Sequence, residues 1–501
     1  MTVDMPRRSG GREARVRART MAAPVYLPAV ENRVGPIDLL GPEGVQRVHK
    51  AAMRILAETG IIFRDARALA DWRHAGAKVE GERVYPDEDL LMDLLKSVPN
   101  EYVFHARNPA HTVTIGGRKS VFANVYGAPF VYDLDGQRRR STLADTQNFF
   151  KLAQMSPAMH VAGILPVEPQ DVPVAERHLD LVSSALKLSD KPIMGSVHSE
   201  VAAQDTISML RIAFGEEFLE KNVVVTALLN CNTPLVWDET MLQSLRVYAA
   251  ANQPALLTPF LLAGASGPAS PEVGVALLLA EALAGIAYAQ IVRRGCPMVL
   301  GVALMGVSMK SGAPMMGTAE PGLMNLIVGQ MARFYRLPWR SCTMWTGAKA
   351  ADLQAGYDSA NSMWPVMLGG CNYIMHAAGF LEGALGVSYA KWVQDAAQLE
   401  GFHRFFSGLG EEPVDAILND VAKVGPGGHF LGTDHTRLNY FSINHLQNND
   451  SYEQWVDEGA KTAETVGAEE ARRMLESYVP PPMPTDVLAA LDDFVARRRA
   501  E

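Results

Sequence analysis

Residues 223–260 read VVVTALLNCNTPLVWDETMLQSLRVYAAANQPALLTPF. An apolar run at 223–230 is followed by a helical pattern, ETMLQSLRVYAAAN, and then by a second apolar run, ALLTPF, at 255–260. Apolar strands that alternate with amphipathic helices predict parallel pairing, because each crossover helix covers a face of the sheet.

The same unit recurs on both sides. Apolar runs stand at 121–126 (VFANVY), 162–167 (AGILPV), 192–197 (PIMGSV), 297–304 (PMVLGVAL), 340–346 (RSCTMWT) and 371–376 (CNYIMH). Helical stretches such as AERHLDLVSSALKL, EVAAQDTISMLRIAF, PEVGVALLLAEALAGIAYAQIVRR and PGLMNLIVGQMARFY lie between them. With the two opening strands this makes eight strand–helix repeats, the pattern of a (β/α)8 TIM barrel. A doubly wound open sheet is the alternative. It is disfavoured because no G-x-G-x-x-G turn follows an early strand.

Around this α/β core, residues 1–30 read as a mobile basic tail and 31–120 as a helical N-terminal layer with a short β segment. The barrel takes 121–410, and a C-terminal helical extension packed on it takes 411–501. GPEGVQRVHKAAMRILAETG stops at Gly60, as a helix does, and YVFHARNPAHTVTIGG reads as β-structure closed by a Gly-Gly turn. The glycine-rich GPGGHFLG at 425–432 lacks the Lys-Ser/Thr of a phosphate loop and reads as a tight turn that packs His429 and Phe430 inward.

A net charge of −9 gives no electrostatic footprint for nucleic acid. The Arg-rich start has no apolar core of the kind a signal peptide needs. The most apolar run, VALLLAEALAGIAYAQIV, is interrupted by Glu281 and Gln290 and is not expected to span a bilayer. A cytoplasmic protein without a membrane or nucleic-acid partner is expected, as a homo-oligomer. Cys231, Cys296, Cys342 and Cys371 have neither C-x-x-C nor paired spacing, so reduced thiols and no metal site are expected.

Reactive groups of such a barrel project from the C-terminal strand ends. Those positions hold Tyr126, Glu168, Ser196, His198, Asn230, Asn232, Thr258, Phe260, Met305, Trp345, Thr346 and His376. Together they describe a mostly apolar cavity with a few polar groups, which is how small-molecule sites are built. No G-x-S-x-G elbow is present, and the catalytic residues stay unassigned. The stretch 343–383 adds a question, because Met344, Trp345, Tyr357, Trp364 and His376 gather there with few charges. A packed core and a pocket for an apolar cation both fit it.

HKAAMRILAETGI, FHARNPAHTVTIGG, VEPQDVPVAERHLDLVSSALKLSDKPIMG, MKSGAPMMGTAEPGLMNLIVGQMARFYRLP, DLQAGYDSA and GPGGHFLGTDHT resemble, in this order along the chain, the trimethylamine methyltransferase superfamily. The resemblance implies a (β/α)8 barrel and transfer of a methyl group from a methylated amine to the cobalt of a separate corrinoid protein. Cobalamin is then supplied by that partner, and none is held tightly by this chain. Archaeal trimethylamine enzymes of the family carry pyrrolysine, whereas the corresponding turn here, around Thr346–Ala350, has standard residues. This points to the pyrrolysine-lacking homologues and to a quaternary amine such as glycine betaine. Trimethylamine, another methylated amine, or a non-catalytic quaternary-amine-binding protein are the alternatives.

A quaternary ammonium donates no hydrogen bond and is held by aromatic faces. Trp345, Tyr126 and Phe260 are the expected cage, and His376, Asn230 and Asn232 the expected donors to a carboxylate. Glu168 is the carboxylate at the same mouth. An indole in a solvent-filled pocket contributes to binding and little to stability, so Trp345→Leu is expected to weaken binding and leave the melt unchanged.

Overall fold

The computed structural model describes residues 26–439 and 444–501; most of the basic tail expected at 1–30 lies outside them. The chain is mixed α/β. One parallel ladder runs through Ile193–Gly195, Val225–Cys231, Ala255–Ala263, Val299–Gly301, Trp339–Cys342, Tyr373–Met375 and Lys119–Phe122, in that spatial order. Ala227 pairs with Ala255 and Arg340 with Tyr373. Nearly every residue in these strands is buried, which is why they read as continuous apolar runs.

The run 162–167 departs from expectation, since it forms no strand. It contributes isolated parallel bridges, Ala123 to Val161, Gly163 to Ile193 and Ala128 to Val167. Pro166 has no amide hydrogen for a ladder, and Gly163 sits at φ +85°, so continuous pairing is interrupted. Beyond Lys119–Phe122 the sheet continues antiparallel into Val113–Gly116 and Glu101–Phe104, the β-structure expected before the Gly-Gly turn.

Some of the crossover helices start at side-chain caps. Ser199 accepts from the Ala202 amide and Asp238 from the Met241 amide. Helices Pro42–Arg54, Ala66–His74 and Glu88–Leu95 precede the parallel strands, and a small sheet of Ile61–Phe63, Arg83–Tyr85 and Lys78–Glu80 lies among them, joined at its edge by Val236–Trp237. A second small sheet joins Phe130–Tyr132 and Arg138–Arg140 to Phe380–Leu381 and Gly386–Ser388. It links the loops that follow two of the parallel strands. Near the C-terminus, Ala463–Glu476 packs on Tyr389–Phe406 so closely that a Cβ at Gly467 would meet the Ala390 carbonyl at 2.5 Å.

Two expectations are corrected. His429 and Phe430 do not pack inward; both are exposed, on a turn that leads into Asp434–Asn439. Helix Pro271–Val292 is, by length and composition, long and apolar enough to cross a bilayer despite Glu281 and Gln290. Its side chains are nevertheless packed inside the protein, against Pro42–Arg54, Glu88–Leu95 and Ala255–Ala263.

Glu281, in the middle of that helix, is fully buried. It accepts from Thr233 Oγ1 at 2.8 Å and from the Leu235 amide at 2.5 Å. Burial pushes its carboxyl up to about 7, although both hydrogen bonds oppose the shift. A folded-state value above the ordinary 4.5 means that the stability it contributes is complete below about 4.5 and lost as pH rises through about 7. Glu281→Gln removes this titration. Denaturant unfolding of wild type relative to Glu281→Gln is therefore expected to show wild type losing ground from about pH 4.5 to about pH 7, by up to about 3 kcal/mol, and little further above that. A pH-independent difference would contradict it.

Candidate functional site

Strand Trp339–Cys342 alternates regularly. Trp339 lies against Gly329 and Gly369 at the surrounding helices, and Ser341 Oγ donates to Asn325 Oδ1 at 2.6 Å. Arg340, between them, points to the opposite side and is 1% exposed. Its guanidinium donates to the Val302 carbonyl at 3.0 Å, to Met375 Sδ at 3.1 Å and to His376 Nε2 at 3.2 Å. Among the described residues no carboxylate pairs with it, and its Nε has no hydrogen-bond partner. A buried charge without a counter-ion is costly, so this cation stands ready for an anion.

His376 ends the neighbouring strand at φ +59°, a left-handed conformation that a side chain rarely adopts. Its ring contacts two others, Trp345, stacked at 5.7 Å and 17°, and Phe380, tilted at 4.9 Å. Burial, with the Arg340 charge adding to it, holds the imidazole well below its ordinary value, so it is neutral near pH 7. Since Nε2 accepts from Arg340, the ring proton sits on Nδ1. That Nδ1 is itself buried without a partner, as are Thr343 Oγ1 and Tyr373 Oη. Four unmet polar atoms on two adjacent strands and the residues just after them are far from ordinary, and all four are able to donate to an incoming acceptor.

Trp345 is 6% exposed. The strand stops at Cys342 and Met344 takes φ +53°, so the expected alternation does not carry through to Trp345. Away from His376 the indole borders Leu304, Met316, Cys342 and Asn325 around a cavity of only about 10 Å³. The expectation of a solvent-filled pocket with no stability role is therefore corrected: this ring is packed. Tyr357 and Trp364 do not join it either, because both are on the exposed face of Leu353–Leu368.

The other expected residues fall into two further groups. Half-buried Tyr126 lies near Glu168; burial first, then that carboxylate, raises its phenol. Glu168 accepts from Arg177 at 2.5 Å, and His198 bonds Ser196 Oγ at 3.0 Å. Burial lowers the His198 imidazole, with Glu168 opposing. Phe260 is 40% exposed, its amide donating to Thr233 Oγ1 at 3.2 Å. Asn230 is exposed, and the Asn232 amide is spent on Asp238 at 2.9 Å, where it supports a helix cap. Among the described residues, no hydrogen bond or ring contact joins the Trp345–His376 group to these two. No cluster of three or more His, Cys, Asp or Glu that could hold a metal occurs among the described residues, and the four cysteines are buried and free.

Sequence reasoning passed over Arg340, Phe380 and Arg177. Arg340 did carry a signal, as the one cation in the run RSCTMWT.

A family model described as trimethylamine methyltransferase (MTTB) matches residues 8–501. A glycine betaine methyltransferase of Desulfitobacterium hafniense (strain Y51) is 38% identical, covering 93% of this chain and 98% of that protein. A proline betaine:corrinoid methyltransferase of Eubacterium limosum is 27% identical over 77% of this chain and 82% of its own. Among solved structures, the Methanosarcina barkeri monomethylamine methyltransferase aligns with a TM-score of 0.49 at 10% identity, covering 93% of this chain and 98% of that one.

The lone buried cation generates a prediction about stability. Arg340→Met replaces an uncompensated charge by an apolar chain of similar length. Without ligand its thermal midpoint is expected to equal or exceed that of wild type. A drop of more than about 10 °C would show that Arg340 is already satisfied in the empty protein.

Proposed function

Since this chain belongs to the trimethylamine methyltransferase family, we propose that it moves a methyl group from a quaternary amine, glycine betaine or a close relative, to the cobalt of a separate corrinoid protein. The observation that carries this reading is the anion-deficient pair. Arg340, a cation without an acid, and His376, with a free Nδ1–H, ask for a carboxylate. A betaine brings one; trimethylamine does not.

The methyl leaves by in-line displacement. Its leaving group is a neutral tertiary amine, so no general acid has to protonate it. The partner's corrinoid supplies the nucleophilic metal that accepts the methyl. This chain binds, orients and excludes water. Arg340 and His376 anchor the carboxylate end. Trp345, stacked on His376, offers an aromatic face beside that anchor; Phe260 and Tyr126, with Glu168 adding negative potential near Tyr126, are proposed to complete the wall from separate strand ends. Trp345 also acts through the imidazole on which it stacks.

The same reading takes the parallel strands as a (β/α)8 barrel over residues 121–410. In support, the bridges at Val161 and Gly163 link the two ends of the ladder through the segment that lacks its own strand. Residues 31–120 then form the N-terminal layer and 411–501 the extension packed on it. The C-terminal strand ends, which carry the proposed site residues, are then the mouth that the corrinoid protein approaches.

The test is product analysis with the partner corrinoid protein present. Glycine betaine is expected to lose one methyl and give dimethylglycine, while choline and trimethylamine are turned over at least about a hundredfold less well, for want of a carboxylate. Equal turnover of trimethylamine would overturn the reading. Trp345→Leu is expected to weaken glycine betaine binding about tenfold and, because the ring is packed, to lower the thermal midpoint as well. Unaltered affinity in the folded fraction would remove Trp345 from the site.

A further inference from the structure

Helix Tyr389–Phe406 carries a buried ion pair that none of the chemistry above uses. Lys391 and Asp395 are one turn apart, with side chains 4% and 11% exposed, and Lys391 Nζ lies 2.5 Å from Asp395 Oδ2. Each partner also reaches out of the helix. Lys391 Nζ donates to the Met344 carbonyl at 3.0 Å and to Ser359 Oγ at 2.8 Å. Asp395 Oδ2 accepts from the Gly379 amide at 2.8 Å.

Met344 is the residue before Trp345, and Gly379 the residue before Phe380. Those two rings are the ones in contact with the His376 imidazole, at 5.7 Å and 4.9 Å. Both anchor points have positive φ, +53° at Met344 and +96° at Gly379. For Met344 that conformation is strained and persists only where its surroundings enforce it. The enforcement is visible: its amide donates to Ser362 Oγ at 3.0 Å, and its carbonyl takes the lysine and Ser359 Oγ, the latter at 3.4 Å. At Gly379 a Cβ would meet Trp392 at 2.9 Å, so the loop is pressed onto the same helix.

We propose that Lys391 and Asp395 are positioning residues, one ion pair that sets Trp345 and Phe380 against His376 and so aims its free Nδ1–H at the substrate. This rests on the function proposed above. A buried pair gains little net stability over apolar side chains of the same volume, so stability alone does not account for it. Two backbone anchors, each next to a ring that contacts the same imidazole, do. The groups facing the pair are Ser359 Oγ, the Met344 carbonyl and the Gly379 amide.

The experiment uses the full chain. Lys391→Met/Asp395→Leu removes both charges and leaves no lone ion behind. Trp345 is followed without ligand as the difference in emission between each protein and its Trp345→Phe form, and affinity for glycine betaine is measured by calorimetry. The double variant is expected to melt within a few degrees of wild type. Its Trp345 emission is expected to move to longer wavelength, and its affinity to fall at least tenfold. Asp395→Asn, which keeps an acceptor for Gly379, is the milder second variant, with a smaller emission shift and about a threefold loss. Unchanged emission and affinity in either folded variant would overturn the proposal and leave the pair a packing feature. An emission shift in a series whose wild type binds no glycine betaine would overturn the proposed function and leave the positioning role standing.

Discussion

Placing a guanidinium inside a protein sets a problem that the surrounding residues have to solve, and around Arg340 they solve only part of it. A carbonyl, a thioether and a neutral imidazole take its hydrogens, but none carries the opposite charge. Coulomb interaction strengthens as water is excluded, so the unmet charge is strongest where the site is driest. The imidazole cannot help by ionising, because burial and the neighbouring cation both hold it neutral. Its one remaining proton consequently stays unclaimed. A carboxylate-bearing ligand completes this arrangement, and a bare amine leaves it incomplete.

The frame around Arg340 follows from that requirement. Arg340 stands on one strand and His376 directly follows its parallel neighbour Tyr373–Met375, so backbone register, more than side-chain reach, brings the two together. The strand that bears Arg340 has buried residues on both faces, with Trp339 and Ser341 committed to the helices. Left-handed residues then redirect the chain just beyond the strand ends, Met344 after one and His376 after the other. Sites built from strand ends and stiffened loops keep their geometry while empty, and this suits a reaction in which orientation does most of the work.

Much of the architecture was legible because parallel strands buried on both faces are written as uninterrupted apolar runs. Seven of the eight runs became strands of the ladder; the run 162–167 did not, for reasons written in it as Gly163 and Pro166. The short strands around Phe130–Tyr132 and Phe380–Leu381 are too brief for periodicity to show. The site was harder to read. Trp345 and His376 were found from their strand-end positions, but their stacking depends on two left-handed residues that are not glycine, which no pattern announces. Asn232 seemed a free donor until its partner Asp238, six residues away, closed onto it. Arg340 stood in plain view, yet the missing counter-ion is a property of its neighbours in space. Only the folded chain shows that lack.

The most direct test is a cycle between one side chain and one ligand group. Affinities of wild type and Arg340→Met are measured by calorimetry for glycine betaine and for choline, which has the same trimethylammonium and no carboxylate. If the carboxylate meets Arg340, the substitution weakens glycine betaine by about a hundredfold, some 2.7 kcal/mol, and leaves choline within about twofold. Equal losses for both ligands, or none for either, would contradict the account.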